Sequence, residues 1–541
     1  MNCSPRAGLK PSEYTHFDMK KLLTAILLAS GAAALSAAPK VSITLAPDSA
    51  APVINKEIYG QFAEHLGTCI YGGLWVGPES KIPNTDGYRN DVLQALKDLK
   101  VPVLRWPGGC FADEYHWVDG IGPRSERPRM VNNNWGGTVE DNSFGTHEFF
   151  NLCELLGAEP YLSGNVGSGT VEELAKWVEY ITAEDGPQAK IRKANGREKP
   201  WHLKYLGVGN ESWGCGGSFK PEHYANEYRR YQTYCRNFNG NKLYKIASGA
   251  SDYDYNWTDV LMKIAKNQMD GISLHYYTVK GWSGSKGSAT DFTDDDYYWT
   301  LGKCLEVGDV VRQHMAIMDK YDPKRRVGLL VDEWGTWWDE EPGTVSGHLY
   351  QQNTMRDAMV AALSLNTFHD LTSRVRMTNI AQIANVLQAM VLTDSLGRMV
   401  LTPTYHVFRM YAPHQDAQLV HLHIATTWRD VRDNRRIPQV SATASISKAD
   451  GRLTISLANT SLTEKADLEI PLSPLYGIVK GILRAKPEAE ILTSADIRNH
   501  NTFDQPDLVA PKEFPAKVSG KGAKATLEMI LPPASIVTVR L

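Results

Sequence analysis

Hydrophobic and polar positions alternate in two different ways along the chain. From about residue 58 to residue 405, short apolar segments are separated by segments with helical spacing, such as Val92, Leu93, Leu96 and Leu99. Seven strands are predicted there, at residues 58–62, 103–106, 160–163, 205–208, 245–248, 271–275 and 328–331, and an eighth between 371 and 378. Strand–helix alternation of this length favours an α/β fold, a (β/α)8 TIM barrel, over an open sheet.

Beyond about residue 411 the apolar positions recur every second residue. The segment 453–457 alternates in this way and follows an Asp450-Gly451 turn, which is a hairpin signal. The pattern predicts a C-terminal all-β sandwich, jelly-roll-like in form. Residues 41–45 show the same alternation, so we expect them to join the sandwich as an extra strand.

These patterns predict four segments. Residues 1–38 form an upstream extension plus a signal peptide, and 39–56 hold the strand that joins the sandwich. Residues 57–408 form the catalytic barrel, and 409–541 form the C-terminal sandwich.

The amino end resembles a secretory signal. Lys20 and Lys21 precede an apolar run over residues 22–35, which is shorter than the ~20 residues of a spanning helix and leads to a small-residue cleavage pattern near Ala38. Met19 looks more like a natural start than Met1. We therefore predict a secreted or periplasmic protein with no membrane contact after cleavage.

Composition and charge exclude several classes of protein. The 541 residues are 42% hydrophobic and 22% charged with a formal net charge of −3, which excludes a polybasic nucleic-acid binder and an acidic disordered chain. The seven cysteines are widely spaced and match no metal or disulfide motif. Buried free thiols are the first interpretation, and disulfides in an oxidising compartment are the alternative.

Tryptophan is concentrated in the predicted barrel. Of the 14 tryptophans, all but Trp428 precede the sandwich. Packing explains most buried tryptophans, but sugar stacking gains weight for those in Gly-rich, loop-like surroundings. These are Trp75, Trp117, Trp135, Trp213, Trp282, Trp299 and Trp337.

Polar residues follow the predicted strands, where the active site of such a barrel lies. The candidates are Glu64, Arg105, Glu211, His275, Tyr277 and Glu333. Glu211 and Glu333 follow strands four and seven, an arrangement suited to glycosidic bond cleavage by two carboxyl groups. We expect Arg105 to lower the pKa of one carboxyl group and an apolar pocket to raise the other.

Five motifs carry a family resemblance. They are RWPGGCFADEYHW (105–117), GVGNESWGCGG (207–217), SLHYY (273–277), VDEWGTWW (331–338) and TNIAQIANV (378–386). Together they resemble glycoside hydrolase family 51, the α-L-arabinofuranosidases of the retaining clan A barrels. The resemblance covers essentially the whole mature chain, including the sandwich.

The resemblance implies catalytic roles for the strand-end residues. Glu211 matches the acid/base and Glu333 the nucleophile. Asn210 would hydrogen-bond the sugar 2-hydroxyl, Tyr277 would hydrogen-bond the nucleophile, and Arg105 would support it.

The resemblance also implies a substrate pocket. Glu64 would bind hydroxyls of the terminal arabinofuranose, with Gln382 on the far side of the pocket. Trp337 would supply an apolar wall, and His275 would orient neighbouring side chains.

Two positions depart from the family pattern. Cys110 and Gly335 stand where many members have Asn, and a thiol is a poorer hydrogen-bonding group than an amide. Cys110 remains a predicted substrate contact, with a disulfide or simple packing as alternatives. The segment 111–144, with Trp117 and Trp135, is either a lid over the pocket or a structural loop.

The resulting hypothesis is a retaining exo-glycosidase without metal or cofactor. It would release terminal non-reducing α-L-arabinofuranosyl residues from arabinan, arabinoxylan or their oligosaccharides, and the resemblance implies a homo-oligomer, a hexamer or a dimer. A β-glycanase or β-xylosidase on the same scaffold is the alternative, followed by a non-catalytic sugar-binding protein. No metalloprotease-type ligand motif occurs in the sequence.

Overall fold

The computed structural model describes residues 40–476 and 486–541. The predicted signal peptide and the choice between Met1 and Met19 lie outside these residues. Among the described residues, no helix combines the length and apolar character needed to cross a membrane.

Eight parallel strands close into a barrel, as predicted. Each strand pairs with the next one along the chain, and the last closes on the first through Asn379 opposite Gly60. The strands are Gly60–Phe62, Val103–Trp106, Glu159–Gly164, Tyr205–Val208, Tyr244–Ser251, Gly271–Thr278, Gly328–Thr336 and Val375–Ala381. All eight strand positions match the predicted ones, although several strands are longer than predicted.

Helices surround the barrel. The first, Asn90–Leu99, buries the predicted face of Val92, Leu93, Leu96 and Leu99 and ends at Lys100, which adopts the left-handed conformation. The others are Thr146–Leu156, Val171–Thr182, Pro187–Ala194, Pro221–Tyr234, Tyr255–Ala265, Asp294–Tyr321, Met355–Asp370 and Pro403–Tyr411.

The C-terminal domain is a strand-rich unit with its own apolar core. Its larger strands are Gln418–Ala425, Val440–Ile446, Leu453–Asn459, Ala466–Pro471, Glu488–Thr493, Thr526–Leu531 and Ser535–Arg540. Short strands at Lys512–Glu513 and Lys517–Ser519 lie at the two ends of the strand order. Alternate residues such as Leu453, Ile455 and Leu457 point into the core.

The amino-terminal strand Lys40–Ala46 lies inside this strand order. It pairs antiparallel with Gln418–Ala425 and parallel with Ala466–Pro471. Val41, Ile43 and Leu45 enter the same core. The chain thus crosses the C-terminal unit before it enters the barrel.

In the described part of the chain, four two-stranded hairpins, three small and one larger, lie outside the barrel and the strand-rich domain. The small ones pair Asn84–Thr85 with Tyr88–Arg89, Met130–Val131 with Val139–Glu140, and Val391–Thr393 with Met399–Leu401. The larger one pairs Trp428–Val431 with Arg435–Pro438. It contacts the long helix Asp294–Tyr321, where Trp299 Nε1 donates to Asp433 over 2.7 Å.

Candidate active site

The carboxyl ends of the barrel strands enclose a pocket of about 280 Å³. Seven predicted site residues line it: Glu64, Cys110, Glu211, Tyr277, Glu333, Trp337 and Gln382. The remaining three, Arg105, Asn210 and His275, are buried beside them: Arg105 contacts Glu333 and Asn210, and His275 contacts Glu211. The structure therefore brings all ten predicted residues to one place.

Both oxygens of Glu333 are held by hydrogen-bond donors. Arg105 Nη1 donates to Oε1 over 2.8 Å, and the Tyr277 hydroxyl donates to Oε2 over 2.9 Å. All three side chains are buried. The Glu333 carboxylate is thus fixed in orientation and paired with the Arg105 guanidinium.

Arg105 connects Glu333 to the neighbouring strand ends. Its Nη2 donates to Asn210 Oδ1 over 2.7 Å, and its guanidinium lies 4.4 Å from the centre of the Phe62 ring. Burial lowers the pKa of Arg105, but Asp332 and Glu333 outweigh this effect and hold the pKa above its usual range. The guanidinium is therefore a permanent charge that also orients the Asn210 amide.

Glu211 lies at the end of the fourth strand in a strained backbone conformation, with φ of 38°. Burial raises the pKa of Glu211, and the charge of Glu333 adds to that increase, although the His275 contact lowers it in part. This environment favours a protonated carboxyl group, as a proton donor requires.

His275 lies between the carboxyl groups. Its Nδ1 is 2.8 Å from Glu211 Oε1 and 3.5 Å from Glu333 Oε2, and its Nε2 is 3.3 Å from Asp332 Oδ1. Burial lowers the pKa of His275, but the three carboxyl groups outweigh burial and raise the pKa to about 10. One oxygen of Glu211 and one of Glu333 lie within 4.8 Å of each other and of this ring.

Glu64 forms a second polar centre in the pocket. It accepts hydrogen bonds from Trp135 Nε1 at 2.9 Å, Gln382 Nε2 at 2.9 Å and the Phe111 amide at 3.2 Å. Burial raises the pKa of Glu64 to about 7, and the Glu333 charge acts in the same direction. A Cβ at Gly109 would collide with the Glu64 carboxylate, so any other residue there would displace Glu64 from these hydrogen bonds.

Comparisons with known proteins agree with this geometry. Residues 95–295 match the alpha-L-arabinofuranosidase 1 domain, and 332–535 match the alpha-L-arabinofuranosidase C-terminal domain. An intracellular exo-alpha-L-arabinofuranosidase of Bacteroides ovatus is 62% identical over 96% of this chain and 99% of its own. The GH51 arabinofuranosidase of Xanthomonas axonopodis pv. citri is 49% identical, with a TM-score of 0.88 over 93% of this chain and 99% of that one. The chain belongs to the α-L-arabinofuranosidases of glycoside hydrolase family 51.

A more distant arabinofuranosidase has the same fold. The α-L-arabinofuranosidase of Thermotoga maritima, solved as an arabinose complex, is 29% identical with a TM-score of 0.79. The match covers 93% of this chain and 99% of that one. The Xanthomonas and Thermotoga structures therefore share the TIM barrel and the C-terminal strand-rich domain of this chain.

The prediction of a secreted or periplasmic arabinofuranosidase is wrong. The Bacteroides ovatus relative matches 96% of this chain and is an intracellular enzyme. Two lysines and a short apolar run are features that a signal peptide needs, but they do not by themselves direct export.

The arabinofuranosidase pocket contains a disulfide that the sequence spacing did not predict. Cys110 and Cys215 are bonded, with their Cα atoms 5.5 Å apart, whereas Cys69, Cys153, Cys235 and Cys304 are free and buried. The free-thiol interpretation is confirmed for those four and wrong for the pair. The bonded cysteines are separated by 105 residues and meet because each follows a barrel strand.

The second departure from the family pattern has a backbone explanation. Gly335 has φ of 149°, a conformation that favours glycine, and a Cβ there would lie 3.3 Å from the Ala381 carbonyl oxygen. An asparagine would be strained at this position. A side chain here would also require the eighth strand to shift by a few tenths of an ångström.

The loop tryptophans fall into two groups. Trp135, Trp213, Trp282 and Trp337 line the pocket of the arabinofuranosidase. Trp75, Trp117 and Trp299 are buried and serve packing instead. Within the segment 111–144, Trp135 lines the pocket, and Trp117 stacks on Trp177 with the ring centres 6.2 Å apart. A lid function of this segment stays a prediction.

Three buried residues that support the site were missed in the sequence. Tyr161 donates to Asp332 over 2.6 Å, and Asp332 lies 3.9 Å from Arg105. Asp113 accepts the backbone amides of Val166, Gly167 and Asn210. Burial raises the pKa of Asp113 to about 7. Asp332 was visible as a charge beside Glu333, but no pattern marked Asp113 or Tyr161.

Proposed function

We propose that this arabinofuranosidase releases terminal α-L-arabinofuranosyl residues with retention of configuration, using Glu211 and Glu333. One oxygen of Glu211 and one of Glu333 lie within 4.8 Å of each other, and this short separation carries the proposal. Retaining glycosidases hold their carboxyl groups about 5–5.5 Å apart, whereas inverting enzymes need about 6.5–9.5 Å to admit a water. The short approach of the two groups favours the retaining mechanism over the inverting one.

The two environments assign the roles. Glu211, whose pKa burial raises, gives its proton to the glycosidic oxygen, while Glu333 attacks the anomeric carbon. Arg105 and Tyr277 hold the attacking carboxylate by its two oxygens. Glu211, now ionised, then takes a proton from the water that hydrolyses the covalent intermediate.

The remaining polar groups fit one furanose ring. Asn210 is oriented by Arg105 to reach the sugar 2-hydroxyl, and Glu64 with Gln382 binds the other hydroxyls. A volume of about 280 Å³ is below the usual range for drug-sized ligands, about 300–1,000 Å³, and suits one sugar residue. Arabinan, arabinoxylan and their oligosaccharides are the substrates, and cleavage is exo-acting.

Trp213, Trp282 and Trp337 give the pocket an aromatic wall for the leaving group. The Bacteroides ovatus relative is an exo-acting enzyme, which supports the same assignment here. The division into 39–56, 57–408 and 409–541 is part of the proposal, with the first and last segments joined by strand pairing.

A panel of aryl glycosides tests the function. The protein should hydrolyse 4-nitrophenyl α-L-arabinofuranoside and leave the β-xyloside, β-galactoside and β-glucoside nearly untouched. Glu333→Ala should abolish the arabinofuranoside activity. Faster hydrolysis of the xyloside or glucoside, or near-normal turnover by Glu333→Ala, would contradict the proposal.

A further inference from the structure

The Cys110–Cys215 disulfide lies directly against the proposed acid/base. Glu211 Oε2 is 3.6 Å from Cys215 Sγ and 3.9 Å from Cys110 Sγ. Cys215 is exposed and Cys110 is half-buried at the pocket wall. A small dithiol reductant can therefore reach the bond from the pocket.

We propose that reduction of this disulfide creates a site for a thiophilic divalent cation, with Cys110, Cys215 and Glu211 as its ligands, and that the bound cation blocks catalysis. One ligand atom from each of the three residues lies within 4.8 Å of the others. Zn²⁺ binds thiolate sulfur at about 2.3 Å and carboxylate oxygen at about 2.0–2.2 Å in tetrahedral geometry. Water would complete the coordination.

The spacing of the two cysteines suits such a site. Tetrahedral geometry places two zinc-bound sulfurs about 3.8 Å apart. Cα atoms 5.5 Å apart allow this separation through side-chain rotation alone. The backbone of the two loops need not move.

A dithiol reductant supplies the electrons and protons that opening of the disulfide requires. The reductant transfers two electrons to the Cys110–Cys215 bond and forms its own disulfide, and each cysteine sulfur gains one proton. Binding of the cation then releases both thiol protons to solvent and consumes no further electrons.

A second group of possible metal ligands lies beside this site, but it offers only oxygen and nitrogen atoms, whereas the proposed site offers two sulfurs. Glu211, His275 and Glu333 are also close together, but both ring nitrogens of His275 are already within 3.3 Å of carboxylate oxygens. Thiolates select soft cations such as Cd²⁺ and Zn²⁺. Inhibition should therefore depend on the redox state of the cysteines.

The loss of activity rests on the proposed acid/base role of Glu211, whereas binding of the cation does not. The full-length protein is prepared with the disulfide intact or reduced with dithiothreitol, and the reductant is then removed without oxygen. Cd²⁺ is added while thiolate-to-cadmium charge-transfer absorption and arabinofuranoside hydrolysis are recorded together.

Reduced protein should gain the absorption and lose most of its activity, and a chelator should reverse both changes. The disulfide form should show neither change. Cys215→Ser and Cys110→Ser, each compared with itself before cadmium, should lose the response. The control Cys153→Ala removes a free buried thiol of an outer helix and should keep the response.

Three results would overturn the inference. These are reduced protein without the absorption, equal inhibition of the disulfide form, or an unchanged response in both serine variants. Cadmium bound through both cysteines with full activity would overturn the ligand role of Glu211 and the block of catalysis. The acid/base role is tested without cadmium, by the activity of Glu211→Ala, so the two failures are distinguishable.

Discussion

Removal of the Tyr277 hydroxyl tests how Glu333 is held. The hydroxyl donates over 2.9 Å to a buried carboxylate oxygen, and Tyr277→Phe removes only this donor. A hydrogen bond to a charged group contributes about 1.5–3 kcal/mol. Since about 1.4 kcal/mol of barrier changes a rate tenfold, kcat/KM should fall about 10- to 150-fold. Steady-state hydrolysis of 4-nitrophenyl α-L-arabinofuranoside measures the effect.

The neighbouring tyrosine provides a matched control. Tyr276 is equally buried, but its hydroxyl donates to the Lys303 carbonyl outside the pocket. Tyr276→Phe should keep kcat/KM within about twofold while it loses a buried hydrogen bond. If Tyr277→Phe keeps kcat/KM near that of the unchanged protein, or if both variants lose it equally, the positioning role is refuted.

Three further predictions concern other parts of the pocket. Because burial raises the pKa of Glu64 from 4.5 to about 7, its stabilisation of the fold is complete below about pH 4.5 and is lost as the pH rises through about 7. Urea unfolding of the unchanged protein and of Glu64→Gln gives the difference between their free energies of unfolding. This difference should fall by about 2–3 kcal/mol between pH 5 and pH 8, and a difference that does not change with pH would contradict the prediction. Gly335→Ala should lower the free energy of unfolding by about 1–3 kcal/mol, whereas Gly281→Ala, which meets open space, should lower it little; equal losses would refute the strain at Gly335. Trp282 is half-exposed and its ring lies 5.5 Å from that of Trp337, so Trp282→Ala should raise KM about five- to tenfold for an arabino-oligosaccharide and less for an aryl arabinofuranoside.

Much of the barrel is predictable because each strand is a buried apolar segment. The eighth strand, expected between residues 371 and 378, is Val375–Ala381. The seventh continues past the predicted end to Thr336, since His275 to Thr278 pair with Glu333 to Thr336. The polar residues at the end of the seventh strand resemble a loop in the sequence, but in the structure they continue the strand and lie at the mouth of the barrel.

The grouping of polar residues at strand ends is predictable from the same rule. The distances between these polar side chains cannot be predicted from that rule. Nothing in the sequence shows that His275 contacts three carboxyl groups or that Cys110 and Cys215 are bonded across two loops. Such contacts depend on the relative rotation and register of strands far apart in the chain.

The cellular location of the protein could not be predicted from the composition of its amino end. The apolar run at residues 22–35 fits a signal peptide by composition, yet the 62% identical relative is intracellular. Composition describes what a segment is able to do, and export also depends on recognition by other proteins.

In the proposed mechanism, Glu211 and Glu333 divide the reaction between proton transfer and nucleophilic attack. Azide rescue of their alanine variants, with the product configuration determined by NMR, tests this division of roles. With a good leaving group, Glu211→Ala should yield the arabinofuranosyl azide of retained configuration, formed from the covalent intermediate, and Glu333→Ala should yield the inverted azide. The opposite pairing of variant and configuration, or no rescue of either variant, would contradict the account.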